Sequence, residues 1–374
     1  MSRLPVGVVG CGLIAQVMHL PHLRKLADRY EVVALCDVSP GTVEAVGEAF
    51  GVERRFTSID DLLEAPIEAV LILTSGNHAP AAIRAAASGR HVFVEKPICL
   101  RVSDGLELTT VARRSSVRIM AGYMKRHDPA FARFRDELDR TRDVRLVTFA
   151  TMESPEAPYL AHHRVLRAPA PEPAVQAELR AMREADDRLV GEAIGSQDGA
   201  LIGQYCRMIL ASMVHDLNLV RAILGEPDTL EFASIRPQGV TAVLRVGTVQ
   251  AVLTWVDLPG IARYRQEFAA LAPERRIRLE FPSPYLRHAP TRLAVEEGRS
   301  GTSRSWLTSE IVSYEESFEL ELIEFHAAIE EGREPTPEGL DGVRDVALAE
   351  AIAASHLDGM ARERPTEMPV DASR

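Results

Sequence analysis

The first 122 residues alternate short, continuous apolar runs with segments of helical character. The runs that read as strands are VGVVG, EVVALCD, AVLILT, HVFVEKP and VRIMAGYM. Runs that are apolar at nearly every position are typical of parallel strands whose two faces are both covered by helices. Because strands that alternate with helices at this spacing form βαβ units, residues 1–122 predict an α/β domain with a doubly wound parallel sheet.

The pattern changes after about residue 145, where strands follow one another with few helices between them. Residues 155–205 contain a proline-rich stretch and a charged helical stretch, and residues 206–224 are strongly apolar and helical. The later strands alternate apolar and polar residues, which is typical of an antiparallel sheet with one covered face. Residues 123–374 therefore predict an α+β domain with a large, open, mostly antiparallel sheet, in which residues 155–205 are an insertion.

Directly after the first strand, the sequence GCGLIA places small residues at its first, third and last positions. Gly10 allows a tight turn, Gly12 lets the backbone approach a pyrophosphate, and Ala15 lets the next helix pack closely on the strand. Leu13 and Ile14 open that helix, whose free N–H groups attract an anion. Because the motif follows a strand and opens a helix, it predicts a Rossmann domain whose dinucleotide contacts these five residues.

An acidic residue, Asp37, ends the second strand, 22 residues after Ala15. A carboxylate there accepts hydrogen bonds from both ribose hydroxyls and repels a 2′-phosphate, which favours NAD over NADP as the cofactor. The alternative is a solvated aspartate at a strand end. Its place after the glycine loop favours the cofactor contact.

The strand HVFV ends in two opposite charges, Glu95 and Lys96, and Pro97 then stops it. In an open parallel sheet, ligands bind outside the carboxyl ends of the strands. We therefore expect both charges at the edge where the glycine loop lies, next to the cofactor, rather than buried in the sheet. A surface ion pair that caps the strand is the alternative, and it explains the charges but not their position.

Three of these segments together resemble a known family. GCGLIA, the CD that ends the second strand, and AAASGRHVFVEKP are similar to the glucose–fructose oxidoreductase, inositol dehydrogenase and rhizopine-catabolism family (Gfo/Idh/MocA). The resemblance is dense over the first 130 residues and looser beyond them. It implies that Lys96 lies beside the nicotinamide, where an ammonium lowers the pKa of the reacting alcohol and stabilises the developing alkoxide. It also implies that residues 123–374 bind the substrate and form oligomer contacts.

Two further segments match the family less closely. GYMKRHDPAF resembles the segment after the last Rossmann strand, which implies that Lys125 replaces an arginine that reaches the substrate, with Tyr123 beside it. A solvated basic turn is the alternative. The loop TSGNHA is about one residue shorter than its family counterpart, and it implies contacts from Thr74, Ser75 and His78 to the nicotinamide half of the cofactor.

The apolar stretch MILASMVHDLNLV matches a family helix that carries the pattern Asp-x-x-x-His. The match implies that His215 is the general base for the reacting hydroxyl, and a structural histidine is the alternative. The aspartate position is Ala211. Ser212 is expected on the helical face of His215 and able to orient the imidazole, whereas Asp216 points about 100° away. Arg164, from the insertion, is a further candidate substrate contact.

Charge and composition exclude several classes of function. A formal net charge of −11 argues against binding to nucleic acid or to an anionic membrane surface, and no apolar run is as long as a membrane span. Four well-separated cysteines and a start without a signal-like region predict a reduced, cytoplasmic protein. His19 and His22, in HLPH, lack obvious acidic or thiol partners, so we predict no metal site and expect both at the cofactor edge or in solvent.

These observations favour an NAD-dependent dehydrogenase or ketoreductase that moves a hydride between nicotinamide and a carbohydrate-like substrate. The reacting group would be a secondary alcohol or ketone of a sugar, a cyclitol, or a nucleotide- or amino-sugar. Two alternatives stay open: a glycosidase that retains NAD and works by transient oxidation and elimination, and a non-catalytic dinucleotide-binding sensor. The intact Glu95-Lys96-Pro97 disfavours the sensor. The resemblance also implies a homodimer or homotetramer, in which the open sheet is covered.

Overall fold

In the computed structural model, which describes residues 3–166 and 173–362, the first sheet consists of six short strands. They are β1 (Leu4–Val9), β2 (Tyr30–Cys36), β3 (Arg54–Phe56), β4 (Ala69–Ile72), β5 (His91–Glu95) and β6 (Ile119–Gly122). Every pair is parallel, in the order β3-β2-β1-β4-β5-β6. The predicted doubly wound sheet is confirmed, and β3 is a strand that the sequence pattern missed.

Helices cover both faces of this sheet, because alternate residues of its strands enter two different apolar clusters. Leu71 of β4 lies in one cluster, and its neighbours Val70 and Ile72 lie in the other. A π-helical turn, Ala15–His19, follows β1. The α-helices of this half are α1 (Leu20–Lys25), α2 (Pro40–Phe50), α3 (Ile59–Leu63), α4 (Ala79–Ala87) and α5 (Val102–Ser115).

The register of the strands aligns the carboxyl ends of β1, β4 and β5. Val9 pairs with Ile72, and Ile72 pairs with Val94. Gly10 and Lys96 therefore lie just beyond the ends of their strands, on the same edge of the sheet. Because β1 and β5 are two strand spacings apart, the two residues are separated by about 10 Å. The strand order reverses between β1 and β4, and ligands of such sheets bind outside that point.

The second sheet has eight strands in the order β14-β13-β12-β11-β7-β10-β9-β8. Its strands are β7 (Leu146–Glu153), β8 (Thr229–Arg236), β9 (Gly239–Val246), β10 (Val249–Asp257), β11 (Arg265–Ala272), β12 (Arg275–Phe281), β13 (Arg292–Gly298) and β14 (Ser305–Ile311). Only β7 and β10 pair in parallel, so the predicted mostly antiparallel sheet is confirmed. The strands β13 and β14 were not predicted.

One face of the second sheet is buried against helices, and its opposite face is partly exposed. The helices of this half are α6 (Pro129–Asp139), α7 (Ala157–Leu160), α8 (Pro173–Ile194), α9 (Gly199–Gln204), α10 (Val214–Leu224), α11 (Ser317–Glu330) and α12 (Gly339–Arg362). A second π-helix, Tyr205–Met213, joins α9 to α10. Within the described residues, no helix is long and apolar enough to cross a membrane.

The last two helices return to the first sheet. Leu322 and Phe325 of α11 share an apolar cluster with Phe93 of β5, while Val343 and Val346 of α12 lie in the cluster on the other face. The first sheet is therefore covered in part by residues from the far end of the chain. This packing holds the two sheets against each other and places the carboxyl edge of the first beside the second.

Candidate active site

The glycine loop after β1 has the shape that a dinucleotide requires. Gly10 has a φ of 94°, and a Cβ there would lie 2.6 Å from the backbone nitrogen of Thr74, so a larger residue does not fit. A Cβ on Gly12 would have none of the described atoms within 4 Å, which leaves the front of the loop open. Ala15 is fully buried beneath the loop. An open cradle at a helical N-terminus is what a pyrophosphate needs.

The carboxylate of Asp37 lies against this loop. Its Oδ2 accepts a hydrogen bond from the Cys11 N–H at 2.8 Å, and its Oδ1 accepts one from the Ser39 N–H at 2.9 Å. Because each carboxylate oxygen has a second lone pair, Asp37 can still accept bonds from ribose hydroxyls. Leu13 and Ile14 are partly exposed at the start of the helical turn. The structure thus brings the predicted loop residues and Asp37 to one edge.

The loop after β4 contributes differently from what the resemblance implies. Thr74 is partly exposed and Ser75 is exposed, both at the sheet edge next to Gly10. His78, in contrast, is buried: its Nδ1 lies 2.6 Å from the Pro97 carbonyl oxygen and its Nε2 lies 2.7 Å from the Thr74 carbonyl oxygen. Both ring nitrogens are occupied by backbone, so His78 holds two edge loops together rather than contacting a cofactor.

The ammonium of Lys96 lies at this edge and reaches the second half of the molecule. Its Nζ donates to the carbonyl oxygen of Ala211, in the π-helix, at 2.7 Å. Burial lowers the pKa of Lys96, while Glu95 and Glu153 act in the opposite direction. A lysine with a lowered pKa transfers a proton more easily than one in water.

Glu95 does not share the surroundings of Lys96. It is only 7% exposed, its Oε1 lies 2.8 Å from Nε2 of His19, and its Oε2 accepts from the Lys96 N–H. Burial acts to raise the pKa of Glu95, but the contact with His19, together with Lys96 and His78, outweighs it and the pKa lies below its usual value. Successive side chains of a strand point to opposite faces. Glu95 is therefore buried against His19, and its contact with a cofactor stays a prediction. His19 and His22 are buried too, which contradicts the solvent position that was one of the two alternatives predicted for them.

A second buried carboxyl group lies beside Glu95. Glu321 of α11 is fully buried, and neither of its oxygens has a hydrogen-bond partner among the described residues. Burial and the charge of Glu95 raise the pKa of Glu321 well above its ordinary value. His19, Glu95 and Glu321 each place one potential ligand atom within 4.8 Å of the others. A proton retained on Glu321 accounts for this group, because two close carboxylates share one proton.

A cavity of about 500 Å³ opens beside Lys96, between the first sheet and the carboxyl ends of β7 and β10. Aromatic side chains form much of its wall, and the remaining lining residues are mostly polar or charged. The side chains that bear on its chemistry are Lys96, Lys125, Glu153, Glu156, Tyr159, Arg207, Ser212, His215, Trp255, Asp257, Tyr264 and Tyr285. The edge that holds the glycine loop and a cavity of ligand size thus meet at Lys96.

His215 lies near the start of α10 and lines this cavity. Its Nδ1 is buried and has no partner in the described part of the chain, and the Tyr123 ring packs edge-on against it at 5.8 Å. Burial, with Lys125 and Lys96 nearby, holds the pKa of His215 well below 6.5. The imidazole is therefore neutral at neutral pH and able to accept a proton.

Lys125 is 4% exposed and lines the same cavity as His215. Its Nζ donates to Oε1 of Gln266, whose Nε2 donates to Asp216; Asp216 also accepts from Thr151 at 3.0 Å. Burial lowers the pKa of Lys125 to about 8 and raises that of Asp216 to about 6. Asp216 faces away from His215, as its helical position predicts. Gln266 and Thr151 have no motif around them, and the sequence analysis missed both.

Ser212 does not orient His215, contrary to the expectation. Its Oγ donates to Oε2 of Glu153 at 3.2 Å and accepts from Nε1 of Trp255 at 3.0 Å. The expectation assumed α-helical spacing, whereas Tyr205–Met213 is π-helical, with i→i+5 hydrogen bonds that rotate each residue away from its α-helical position. Glu153 and Trp255 are functional candidates that the sequence analysis did not identify.

Two other predicted substrate contacts lie outside the cavity. Tyr123 is 1% exposed and packs behind His215 rather than beside the cavity. Arg164 is exposed, and its side chain is not part of the cavity wall. The insertion instead contributes Glu156 and Tyr159, because the chain turns through α7 at the cavity mouth.

Comparisons with known proteins agree with this arrangement. Residues 4–123 match the model of the Gfo/Idh/MocA family, described as an oxidoreductase family with an NAD-binding Rossmann fold. An inositol 2-dehydrogenase of Rhizobium meliloti is 26% identical over 368 residues, covering 93% of this chain and 96% of the relative. A scyllo-inositol 2-dehydrogenase (NAD(+)) of Bacillus subtilis is 30% identical over 134 residues, which cover 35% of this chain and 39% of the relative.

Solved structures show the same fold over almost the whole chain. A 3-ketoreductase from Actinomadura kijaniata in complex with NADP superimposes with a TM-score of 0.72 at 20% identity, covering 95% of this chain and 98% of that one. A dehydrogenase from Bordetella pertussis in complex with NADH and UDP-GlcNAcA gives a TM-score of 0.69 at 19% identity, with coverage of 96% and 98%. At these identities the likeness concerns the fold.

The fold and the site together define an oxidoreductase that uses a nicotinamide dinucleotide. The glycine loop is open at its front, and Lys96 and His215 line the cavity beside this edge. Residues 4–123 thus match the Gfo/Idh/MocA family of oxidoreductases, and an inositol dehydrogenase that is 26% identical matches nearly the full length of the chain.

Proposed function

We propose that this protein is an NAD-dependent dehydrogenase or ketoreductase that acts on a secondary alcohol or ketone of an uncharged sugar or cyclitol. One observation carries the proposal. Lys96, at the carboxyl edge of the first sheet, and His215, from the second half of the chain, line the same cavity. An ammonium and a neutral imidazole are suited to stabilise an alkoxide and to accept its proton.

The residues of the cavity have separate tasks in this reaction. A nicotinamide, when bound at the edge of the first sheet, would supply the acceptor or donor of the hydride. Lys96 donates a hydrogen bond to the substrate oxygen and stabilises the negative charge that develops there. Its bond to the Ala211 carbonyl uses one of three N–H donors, so donors remain for a ligand. His215 takes the hydroxyl proton in oxidation and returns it in reduction, with Lys125 as a further hydrogen-bond donor.

The charges of the cavity favour an uncharged substrate. The lining contains three cations and three carboxylates, so its formal charge is zero with His215 neutral. Arg207 is already paired with Asp257 at 2.9 Å. The diphosphate of a nucleotide sugar would need unpaired cations, whereas a neutral polyol needs mixed donors and acceptors. The curated relatives include inositol dehydrogenases, whose named substrates are neutral polyols.

Asp37 supports NAD rather than NADP. Its carboxylate lies against the glycine loop, where the adenosine ribose of a dinucleotide would reach it. A 2′-phosphate at that position would meet a negative charge. Asp37→Ser removes that charge and should therefore reduce the difference in affinity between NAD and NADP.

The decisive experiment mixes the full-length protein with NAD or NADP and with myo-inositol, scyllo-inositol, glucose or UDP-N-acetylglucosamine, and follows reduced nicotinamide by absorbance. We expect NAD to be reduced with an uncharged polyol and not with the nucleotide sugar. Lys96→Met should lower turnover by about 10²- to 10³-fold and leave NAD binding intact. Lys25→Met, at a lysine 57% exposed on α1, is the matched control.

Three outcomes would contradict the proposal in different ways. Full activity in Lys96→Met would remove the lysine from the mechanism. Reduction of NAD only with the nucleotide sugar would overturn the substrate class. NAD that stays bound through purification, together with cleavage of an aryl glycoside and no net NADH, would favour the glycosidase that works by transient oxidation.

A further inference from the structure

A carboxylate at the carboxyl end of β7 is held in a fixed position in the cavity wall. Glu153 is the last residue of β7 and lines the cavity with Lys96 and Lys125. Its Oε2 accepts from Ser212 Oγ at 3.2 Å, and the same hydroxyl oxygen accepts from Trp255 Nε1 at 3.0 Å. Because Trp255 is 2% exposed, this chain of hydrogen bonds orients the Glu153 side chain.

The other two carboxylates of the wall have protein partners as well. Asp257 pairs with Arg207 at 2.9 Å, and Glu156 accepts from the Tyr285 hydroxyl at 3.2 Å. In the described part of the chain, no cationic group lies within 4.0 Å of the carboxylate of Glu153. A carboxylate offers about four acceptor positions, of which the Ser212 hydroxyl and the Ser154 N–H use two. Glu153 therefore retains acceptors that a ligand can use.

The helix that carries His215 leaves the cavity without a carboxylate of its own. It presents the backbone and methyl group of Ala211 and the hydroxyl of Ser212 to the cavity, and Asp216 points away toward Gln266. The hydroxyl groups of a polyol also donate hydrogen bonds and so need acceptors. Lys96 and Lys125 cannot accept these bonds, because ammonium groups only donate. An acceptor beside these two lysines is what such a substrate still requires.

We propose that Glu153 is the specificity-determining carboxylate of this cavity and accepts hydrogen bonds from hydroxyl groups adjacent to the carbon that is oxidised. The inference rests on the proposed function and narrows its substrate class to polyols with neighbouring hydroxyls. Two hydroxyls on adjacent carbons match the two oxygens of one carboxylate. A substrate that lacks these hydroxyls loses a charge-assisted hydrogen bond and leaves a partly buried charge unpaired.

Glu153 also affects the two lysines by its charge. It acts to raise the pKa of Lys96 and of Lys125, both of which burial lowers. Removing the charge should therefore let both ammonium groups lose their protons at lower pH. A change in the pKa of the two lysines would therefore distinguish an electrostatic role of Glu153 from a purely structural role.

The test measures NAD reduction by the full-length protein with myo-inositol, scyllo-inositol and glucose over a range of pH. Glu153→Gln keeps the shape of the side chain and removes its charge. We expect KM for the polyol to rise about 10- to 100-fold, the factor for one charge-assisted hydrogen bond, with the dissociation constant of NAD unchanged. The alkaline limb of kcat/KM should shift to lower pH. Glu153→Asp keeps the charge, so the alkaline limb of its kcat/KM profile should match that of the wild type. Its KM should rise less than that of Glu153→Gln.

The matched control is Glu107→Gln, on α5. Glu107 is exposed and belongs to neither the cavity wall nor the second sheet. Its substitution should change neither KM nor the pH profile. Thermal unfolding of each variant confirms that the fold is intact.

The possible results separate the two proposals. If the wild type oxidises a polyol and Glu153→Gln changes KM less than twofold without a shift in the alkaline limb, the role of Glu153 is wrong and the proposed function stands. If the wild type oxidises none of the three polyols, both proposals are wrong, since Glu153 then has no polyol hydroxyl to bind. If Glu153→Gln does not fold, Glu153→Asp decides: a wild-type KM would contradict the inference, and a raised KM would support it.

Discussion

The buried group of His19, Glu95 and Glu321 connects three separate parts of the chain. His19 lies in the helical turn that follows the glycine loop, Glu95 ends β5, and Glu321 belongs to α11. Rings of Phe93 and Phe318 pack edge-on against His19 at 5.4 and 5.6 Å, so this contact is dry as well as buried. Two negative charges in such surroundings would be costly, and the cluster is stable only while it holds a proton.

The charge state of Glu321 predicts a pH-dependent stability. Its pKa is raised in the folded protein above the ordinary value of 4.5. Below about pH 4.5, Glu321 is therefore protonated in both the folded and the unfolded protein. As the pH rises from there toward the folded pKa, the folded protein loses stability because only the unfolded protein releases this proton easily. Glu321→Gln removes this loss. We expect its free energy of unfolding, relative to the wild type, to increase by about 1.4 kcal/mol per pH unit across that window.

Urea denaturation of both proteins between pH 5 and pH 9 measures this difference. Glu107→Gln, at an exposed glutamate of α5, is the control and should follow the wild type at every pH. A constant difference between Glu321→Gln and the wild type across the range would show that Glu321 has the same ionisation in the folded and unfolded states.

Single residues were predictable where a backbone requirement identifies them. Gly10 needs a positive φ and a close approach to Thr74, and such requirements leave a pattern in the sequence. The burial of Glu95 leaves no such pattern, because neighbouring residues at a strand end point in different directions and the sequence does not say which of them meets the ligand. Glu153 and Gln266 were missed for a related reason: both are polar residues on alternating strands, where polar residues are also expected on the exposed face.

At the level of elements, part of the insertion is fastened to the helical turn after the glycine loop. The Gln16 side chain forms a pair of hydrogen bonds with the backbone of Leu166: Nε2 donates to the carbonyl oxygen at 2.9 Å, and Oε1 accepts from the N–H at 2.7 Å. Val165 lies in the same apolar cluster as Leu13 and Ile14. The insertion therefore lies against the residues that are predicted to contact the cofactor.

This contact predicts an effect on cofactor exchange. Gln16→Leu removes both hydrogen bonds to Leu166, each worth about 0.5–1.5 kcal/mol. We expect hydrogen exchange at the Leu166 amide to become about 5- to 100-fold faster. NADH should also dissociate faster, because Val165 would no longer be held against Leu13 and Ile14.

Hydrogen-exchange mass spectrometry and stopped-flow displacement of NADH measure the two quantities. Gln238→Leu, at an exposed turn between β8 and β9, is the control for adding an apolar residue. Unchanged NADH dissociation with faster exchange at Leu166 would mean that the insertion and the cofactor are independent.

Strands and helices were predictable where their periodicity was regular. The continuous apolar strands of the first sheet and the alternating strands of the second follow two well-known patterns. The π-helix Tyr205–Met213 was not predictable, since its residues have the same apolar composition as an α-helix and only the backbone bonding differs. The strand β14 was missed because all seven of its residues are exposed, which leaves no apolar alternation to detect.

At the scale of the whole molecule, the candidate active site depends on the meeting of the two sheets. Lys96 comes from the first sheet, while Lys125, Glu153 and His215 come from elements beyond it. The helices α11 and α12 cover the first sheet from the far end of the chain and so fix this arrangement. The meeting of distant segments is set by tertiary packing, and a single sequence gives residue types and periods but not these contacts.

The outer face of the second sheet predicts that the chain forms oligomers. The strand register aligns Val243, Val252, Thr148 and Ala269 in one row across four strands, on the face that no helix of the described chain covers. A row of small, mostly apolar residues on an open sheet is suited to pack on the same face of a second copy, since symmetric dimers use one patch twice. Light scattering after gel filtration should give two or four times the mass of a single chain.

A charge in this row should separate the copies. In a dimer, Val252→Lys would place an ammonium group against the same group of the second copy or against apolar side chains. Either contact would oppose association by more free energy than the valine contributed to it. We expect a monomer by light scattering, with the far-ultraviolet circular dichroism of the wild type. Leu106→Lys, at a leucine 47% exposed on α5, should leave the mass unchanged. A wild-type protein that is monomeric, or a Val252→Lys variant that keeps the wild-type mass, would show that this face is not the interface.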